Sequence, residues 1–251
     1  MTVPPALETI ALNKRFGGIR PTSDVTFRLE TGARHALIGP NGAGKTTMIN
    51  LLTGVLRPSS GRILLDGRDI TDLKPHARAR LGMARTFQIN QLFGELTPLE
   101  TLSFAVSEQA GTGWDVWRPA GTRRAQAARV IELIERFGLA DVMNARTAIL
   151  PYGKQRLLEI AVAMACRPRL LLLDEPAAGV PEEERHDILA TVMTLPADVT
   201  VLLIEHDMDL VFNFARRISV LVNGALFVEG SPDEVARDPR VKAVYLGEAD
   251  G

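Results

Sequence analysis

The sequence predicts an α/β fold with a helical segment set into it. Three observations predict this. The apolar runs Leu170–Leu173 and Val201–Ile204 have the length and composition of buried parallel strands. Strand-like and helix-like stretches alternate toward both ends of the chain. Between about residues 90 and 146 the strand signals thin out and helical spacing takes over.

The elements follow in order. Asp24–Glu30 alternates, with Val25, Phe27 and Leu29 on one face and Thr26, Arg28 and Glu30 on the other. Arg34–Ile38 is a strand running into a glycine-rich turn. Thr46–Val55 follows as a helix with Met48, Leu51 and Leu52 on its apolar side. Gly61–Asp66 and Met83–Phe87 read as strands. Pro98–Ser107 and Thr122–Phe137 are helical, the second through Val130, Leu133 and Ile134. Gly111–Gly121, with Trp114 and Trp117, reads as a loop between them. From Lys154 the alternation resumes: helix Lys154–Cys166, strand Arg169–Asp174, helix Glu182–Leu195, strand Val199–Ile204, helix Met208–Arg216, strand Ile218–Val222. Asn223-Gly224 is a hairpin turn, and Ser231-Pro232-Asp233-Glu234 starts a helical tail.

The chain has 251 residues, 46% hydrophobic and 24% charged, with a net charge of −1. That balance offers no basic surface for nucleic acid, so no nucleic-acid partner is expected. The single cysteine, Cys166, rules out an internal disulfide framework and suits a reducing compartment. MTVPPALETI lacks the basic-then-apolar pattern of a signal peptide. No apolar run is long enough to span a bilayer, so a membrane role would be that of a peripheral subunit.

Gly39-Pro40-Asn41-Gly42-Ala43-Gly44-Lys45-Thr46 matches G-x-x-x-x-G-K-[ST], between a strand and a helix. The glycines let the backbone curl so that successive N–H groups point at phosphate oxygens. The helix adds its positive N-terminal end. Lys45 brings a charge to the β- and γ-phosphates, and Thr46 offers a hydroxyl to Mg²⁺. Leu170–Leu173 ends in Asp174-Glu175, at the strand end where α/β ligands bind. Alone, that pair could be a helix cap. Beside the phosphate loop it reads as catalytic: Asp174 for Mg²⁺, Glu175 for the attacking water. Val201–Ile204 ends in Glu205-His206-Asp207, where His206 can reach a γ-phosphate. His35, His76 and His186 have no such context.

Two further elements make the pattern specific. Gln88 follows the strand beginning Met83-Ala84-Arg85, and Leu150-Pro151-Tyr152-Gly153-Lys154-Gln155 heads a helix just before the Asp174 strand. Phosphate loop, glutamine, glycine signature, Asp-Glu strand and histidine strand, in this order over about residues 7–230, resemble the ATP-binding subunit of ABC transporters. The resemblance implies a P-loop NTPase (RecA-like) core, residues 1–89 and 147–230, with an N-terminal antiparallel β region. It also implies an inserted helical subdomain, residues 90–146, and a tail, residues 231–251. ATP and Mg²⁺ are the implied cofactors. Phe16 would stack on adenine, its alternative being a core aromatic. Residues 39–46 and Thr47 would hold the nucleotide. Thr46, Gln88 and Asp174 would hold the metal, with Glu175, His206, Gln88 and Lys45 catalytic. In this family two such subunits sandwich two ATP molecules. Pro151, Tyr152, Gly153, Lys154 and Gln155 would therefore meet the partner subunit's ATP.

The signature departs from the family's usual Leu-Ser-Gly-Gly-Gln. Pro151 supplies neither hydroxyl nor N–H, although proline is accepted at a helix start. Lys154 is expected to compensate in part with its positive charge. Pro181 stands where many relatives carry Asp or Asn.

Lys14–Gly18, Ala84–Gln88 with Leu92-Phe93, Pro151–Gly153, Ala177–Gly179 and Tyr245–Glu248 resemble the ATPases of branched-chain amino acid importers. The expected partners are integral membrane permease subunits, a second ATPase subunit (a heterodimer, or else a homodimer) and, indirectly, an extracytoplasmic solute-binding protein. The expected place is the cytoplasmic face of the inner membrane. Leu92, Phe93 and Leu96 would lie near the permease-docking surface, or else pack in a local core. Urea or amide importers and lipopolysaccharide-type exporters are the alternatives, as is a soluble non-transport ABC ATPase. The last usually carries a long coiled-coil insert or tandem units, which this chain lacks.

Overall fold

The computed structural model describes residues 4–86, 93–111 and 120–246, without the side chains of residues 120–123 and 246. It divides into two compact units. One is drawn from Met1–Met83, Arg169–Glu175 and Pro196–Gly251, the other from Ala84–Pro168 and Pro176–Leu195.

Two sheets build the first unit. The strands β1 (Leu7–Phe16), β2 (Ile19–Leu29), β4 (Ser60–Leu65) and β5 (Arg68–Asp69) form an antiparallel sheet in the order β2-β1-β4-β5. Val25, Phe27 and Leu29 are buried as their alternation predicts, and the residues between them are exposed. The second sheet has the order β10-β9-β3-β8-β7-β6, from β3 (Arg34–Ile38), β6 (Met83–Arg85), β7 (Leu170–Asp174), β8 (Thr200–Ile204), β9 (Arg217–Val222) and β10 (Ala225–Gly230). β3 pairs in parallel with β8 and β9, and β8 with β7. The runs Leu170–Leu173 of β7 and Val201–Ile204 of β8 are wholly apolar because both faces are buried. The helices of this unit are α1 (Lys45–Thr53), α2 (Pro75–Arg80), α7 (Met208–Phe214), α8 (Pro232–Arg237) and α9 (Pro239–Leu246).

The second unit is helical: α3 (Pro98–Gln109), α4 (Ala120–Arg136), α5 (Tyr152–Ala165) and α6 (Glu182–Met193). Thr97 starts α3 with a capping box, its hydroxyl accepting from Glu100 N–H while Glu100 accepts from Thr97 N–H. Leu157, Ile160, Ala161 and Met164 are buried along α5, and Val130, Leu133 and Ile134 along α4.

The fold class is the one the sequence predicts, with corrections of detail. α5 begins at Tyr152, two residues before the expected Lys154, with Pro151 as its N-cap. α4 begins at Ala120, inside the stretch expected to be loop. β1 and α2 carry no clear apolar period, and the sequence pattern does not predict them. Phe87, Gln88, Leu92, Trp114 and Trp117 lie outside the described residues.

Candidate functional site

The strands β3, β7 and β8 end level. Ile204 pairs with both Leu37 and Asp174, so the residues that follow all three strands share one end of the sheet. In parallel α/β sheets this carboxyl end is where ligands bind.

From Ile38 the chain enters the glycine-rich loop. Gly39, Gly42 and Gly44 have φ of 156°, 77° and 102°. A Cβ at Gly39 would collide with the carbonyl of Leu221, and one at Gly44 with that of Pro21. Only glycine fits these two approaches. The β9–β10 hairpin pins the loop from behind. Its tip, Asn223-Gly224, has φ of 49° and 78°, as the tight-turn signal requires. Gly224 N–H donates to Ala43 O at 2.9 Å, and Ser23 N–H donates to Gly224 O at 2.7 Å. α1 then starts with Gly44 as N-cap and no side-chain cap. The first-turn N–H groups of an uncapped helix have no intrahelical acceptor and attract an anion. Lys45 is buried, and its ammonium donates to Pro40 O at 3.0 Å and to Gly39 O. Its charge is thereby held within the curl of the loop. Thr46 and Asn41 are exposed, Thr47 half-buried.

Asp174 closes β7 and is half-buried. Glu175 continues the ladder by one bond, its N–H donating to Ile204 O at 2.8 Å. Its φ is 47°, a left-handed conformation that costs energy in a non-glycine residue and recurs at functional sites. Its side chain is 42% exposed. His206 Nδ1 lies 3.9 Å from Glu175 Oε1 and 3.6 Å from Glu205 Oε2. Both distances exceed hydrogen-bond length. Glu205 is fully buried, and its Oε2 accepts from the N–H groups of His206 at 2.9 Å and Asp207 at 3.2 Å. Asp207 caps α7 by accepting from Leu210 N–H. The three residues Glu205-His206-Asp207 thus divide the work between them. The first fixes the turn, the second projects, and the third starts the helix. Sequence reasoning misses Glu205, because a carboxylate beside a histidine carries no sign of its burial.

Phe16 sits at the β1–β2 hairpin on the other sheet of the same unit. It is 48% exposed, with Lys14 Nζ 4.9 Å above its ring. That exposure rules out the core alternative for this residue.

The signature segment belongs to the second unit. Leu150 is buried, Pro151 makes no side-chain hydrogen bond to the helix, and Gln155 Nε2 donates to Leu150 O at 2.9 Å. Gly153 N–H donates to Glu184 Oε2 on α6 at 2.7 Å. Lys154 does not take the expected place. Its ammonium lies 3.0 Å from Asp141 Oδ1 and also reaches Gly138 O. The charge added to this helix end therefore comes from Glu184 and is negative. One turn on, Arg156 Nη1 meets Glu159 Oε2 at 2.8 Å with both side chains buried. Burial pushes the Glu159 carboxyl up to about 7, against the pull of Arg156. On this unit Phe93, Phe104 and Ile149 are exposed, which removes the local-core alternative for Phe93. Leu96 is half-buried.

Comparison with known proteins fits this arrangement. The family model of the ABC transporter matches residues 22–178, and that of the branched-chain amino acid ATP-binding cassette transporter matches residues 226–251. The chain is 41% identical to the high-affinity branched-chain amino acid transport ATP-binding protein BraF of Pseudomonas aeruginosa, over 98% of this chain and 99% of that one. It is equally similar, with the same coverage, to the protein LivG of Escherichia coli K12, described in the same words. A solved nucleotide-free ATP-binding cassette from an ABC transporter superposes with a TM-score of 0.83 at 31% identity, covering 96% of this chain and 98% of that one.

Proposed function

The chain belongs to the ABC transporter family as a transport ATPase, and from that premise we propose that it powers the import of branched-chain amino acids. The observation that carries this reading is the near-full-length likeness to BraF and LivG, together with the branched-chain match at residues 226–251. In this reading it is a peripheral subunit on the cytoplasmic face of the membrane. It docks on permease subunits and pairs with a second ATPase subunit. Among the described residues no helix is long and apolar enough to cross a membrane, so the permease supplies the spanning segments.

ATP binds with its phosphates in the loop Gly39–Thr46 and its adenine against the open face of Phe16. Lys45 and the N-terminus of α1 supply the positive end. The donor set fits Mg²⁺: a hydroxyl at Thr46 and a carboxylate at Asp174 are hard oxygen ligands. Among the described residues no group of three or more His, Cys, Asp or Glu could hold a metal alone. Mg²⁺ is commonly bound by one or two protein oxygens plus phosphate and water. When bound, it neutralises charge on the phosphates. Glu175 orients the attacking water and accepts its proton. His206, held by the Glu205 turn, faces the γ-phosphate. Gln88 is assigned to the metal and the water from its sequence position.

The test is transport in proteoliposomes containing the chain, its permease subunits and its solute-binding protein. ATP-driven uptake of leucine, isoleucine or valine, abolished by Lys45→Ala, is the expected result. Uptake of urea instead, export of an amphiphile, or ATP hydrolysis uncoupled from any uptake overturns the import reading.

A further inference from the structure

The residue before α5 is Pro151, at φ −50° and ψ 146°, and it contributes no side-chain acceptor. A serine or threonine there would accept from the second or third N–H of the helix. Proline cannot. The acceptor comes from a different helix: Glu184 Oε2 receives the N–H of Gly153 at 2.7 Å.

The contact is built rather than incidental. A Cβ on Gly153 would run into that carboxylate oxygen and come within 3.1 Å of Glu184 Cβ. Glycine at this position leaves room for the Glu184 side chain to close on the helix start. The start of α6 is fixed in turn. Glu184 N–H donates to Pro181 O at 3.0 Å, and Arg185 Nε donates to Val180 O at 2.9 Å. The loop before it is seated on the signature: the Tyr152 hydroxyl oxygen lies 3.2 Å from where a Gly179 Cβ would be. Lys154, next to Gly153 in sequence, is engaged with Asp141 instead.

We propose that Glu184 is a positioning residue of the ATPase cycle. Its carboxylate takes the Gly153 N–H in the way an approaching phosphate would. It supplies the cap that Pro151 withholds, and it must withdraw before that N–H can meet the phosphate of a nucleotide held by the opposing subunit. The inference rests on the proposed ATP sandwich. A carboxylate–N–H bond is charge-assisted and about twice as strong as a neutral one. A second anion at the same helix end meets a used donor and a like charge together.

The experiment is a set of amide ¹⁵N–¹H spectra of the full chain, its Glu184→Gln variant and its Glu183→Gln variant. Each is titrated with inorganic phosphate and, separately, with Mg-ATP. In the unsubstituted chain the Gly153 amide should resonate downfield and stay unmoved by phosphate. In Glu184→Gln it should shift upfield and titrate, with an apparent phosphate affinity raised at least about fivefold. Glu183→Gln removes a charge from the same turn without touching Gly153, and should match the unsubstituted chain. Equal Gly153 titration in the unsubstituted chain and Glu184→Gln overturns the proposal, as does a Glu183→Gln chain that behaves like Glu184→Gln. If Glu184→Gln does not fold, Glu184→Asp keeps the charge one methylene short and should give a partial response; no response overturns the proposal. The amides of Gly42 and Gly44 separate the two readings. Their silence toward Mg-ATP sinks the nucleotide reading and this inference with it. Their response, with Gly153 indifferent to the substitution, sinks the Glu184 role alone.

Discussion

Glu175 concentrates two features at one residue: a left-handed backbone and a carboxylate 3.9 Å from His206 Nδ1. Replacing it with Gln keeps size and hydrogen bonding but removes the base proposed for hydrolysis. Glu175→Gln is therefore expected to slow single-turnover ATP hydrolysis by about 10²–10⁴-fold, while equilibrium binding of a fluorescent ATP analogue stays within about threefold. Loss of binding on the same scale as turnover would place Glu175 in nucleotide affinity instead. At this scale the placement of the candidate residues was legible wherever they follow a strand directly, since the strand ends lie side by side. The loop residues, the Asp174-Glu175 pair and His206 each follow a strand directly, and the pattern names them. Glu184 and Glu205 escaped because their contacts depend on distant partners or burial that spacing does not encode. The Gly153–Glu184 bond joins residues 31 apart.

α1 carries the phosphate loop on its N-terminus, so what ends the helix matters as much as what begins it. Gly54 closes it at φ 79°, its N–H donating to Leu51 O at 3.2 Å, the glycine stop expected of a helix end. Arg78 of α2 completes the end. Its Nη1 donates to Leu51 O and Leu52 O, both at 2.7 Å, and its Nη2 and Nε reach Thr71 O and Leu73 O at 2.9 Å. The side chain is 1% exposed. A guanidinium at a helix C-terminus also suits the negative end of the helix dipole. Arg78→Leu takes a donor from all four carbonyls, of which Leu51 O keeps the Gly54 N–H, and unfolding in urea should show a loss of about 2–4 kcal/mol. A change below about 0.5 kcal/mol would mean that water replaces the guanidinium. α2 itself was not legible: Pro75-His-Ala-Arg-Ala-Arg has no apolar stripe, because its inward face is the arginine. The strands of the parallel sheet were legible for the opposite reason, since burial on both faces leaves them almost wholly apolar.

Across the whole molecule, stability against acid should be governed in part by His35. It lies in β3, at the middle of the parallel strands, 1% exposed. Its ring meets Phe27 edge-on at 5.1 Å, and its Nε2 is 2.8 Å from Ser219 Oγ on β9. Ser219 in turn donates to Glu229 on β10 at 2.7 Å. Burial pushes the imidazole down to about 4, with Arg217 adding to the effect and Glu229 opposing it. Between pH 6.5 and 4 the unfolded chain therefore binds a proton that the folded chain refuses. The neutral ring's contribution is fully present above pH 6.5, declines as pH falls, and is gone near pH 4. The pKa difference corresponds to roughly 3 kcal/mol. Urea midpoints of the unsubstituted chain should fall over this window. His35→Gln, which keeps a hydrogen-bonding group for Ser219 but does not titrate, should flatten that part of the profile while costing stability at pH 7. An unchanged acid slope in His35→Gln would assign the window to other groups. Nothing in the sequence around this histidine gives it a functional context. The structure makes it a polar residue buried in the central sheet, where its effect is on the stability of the scaffold that carries the phosphate loop.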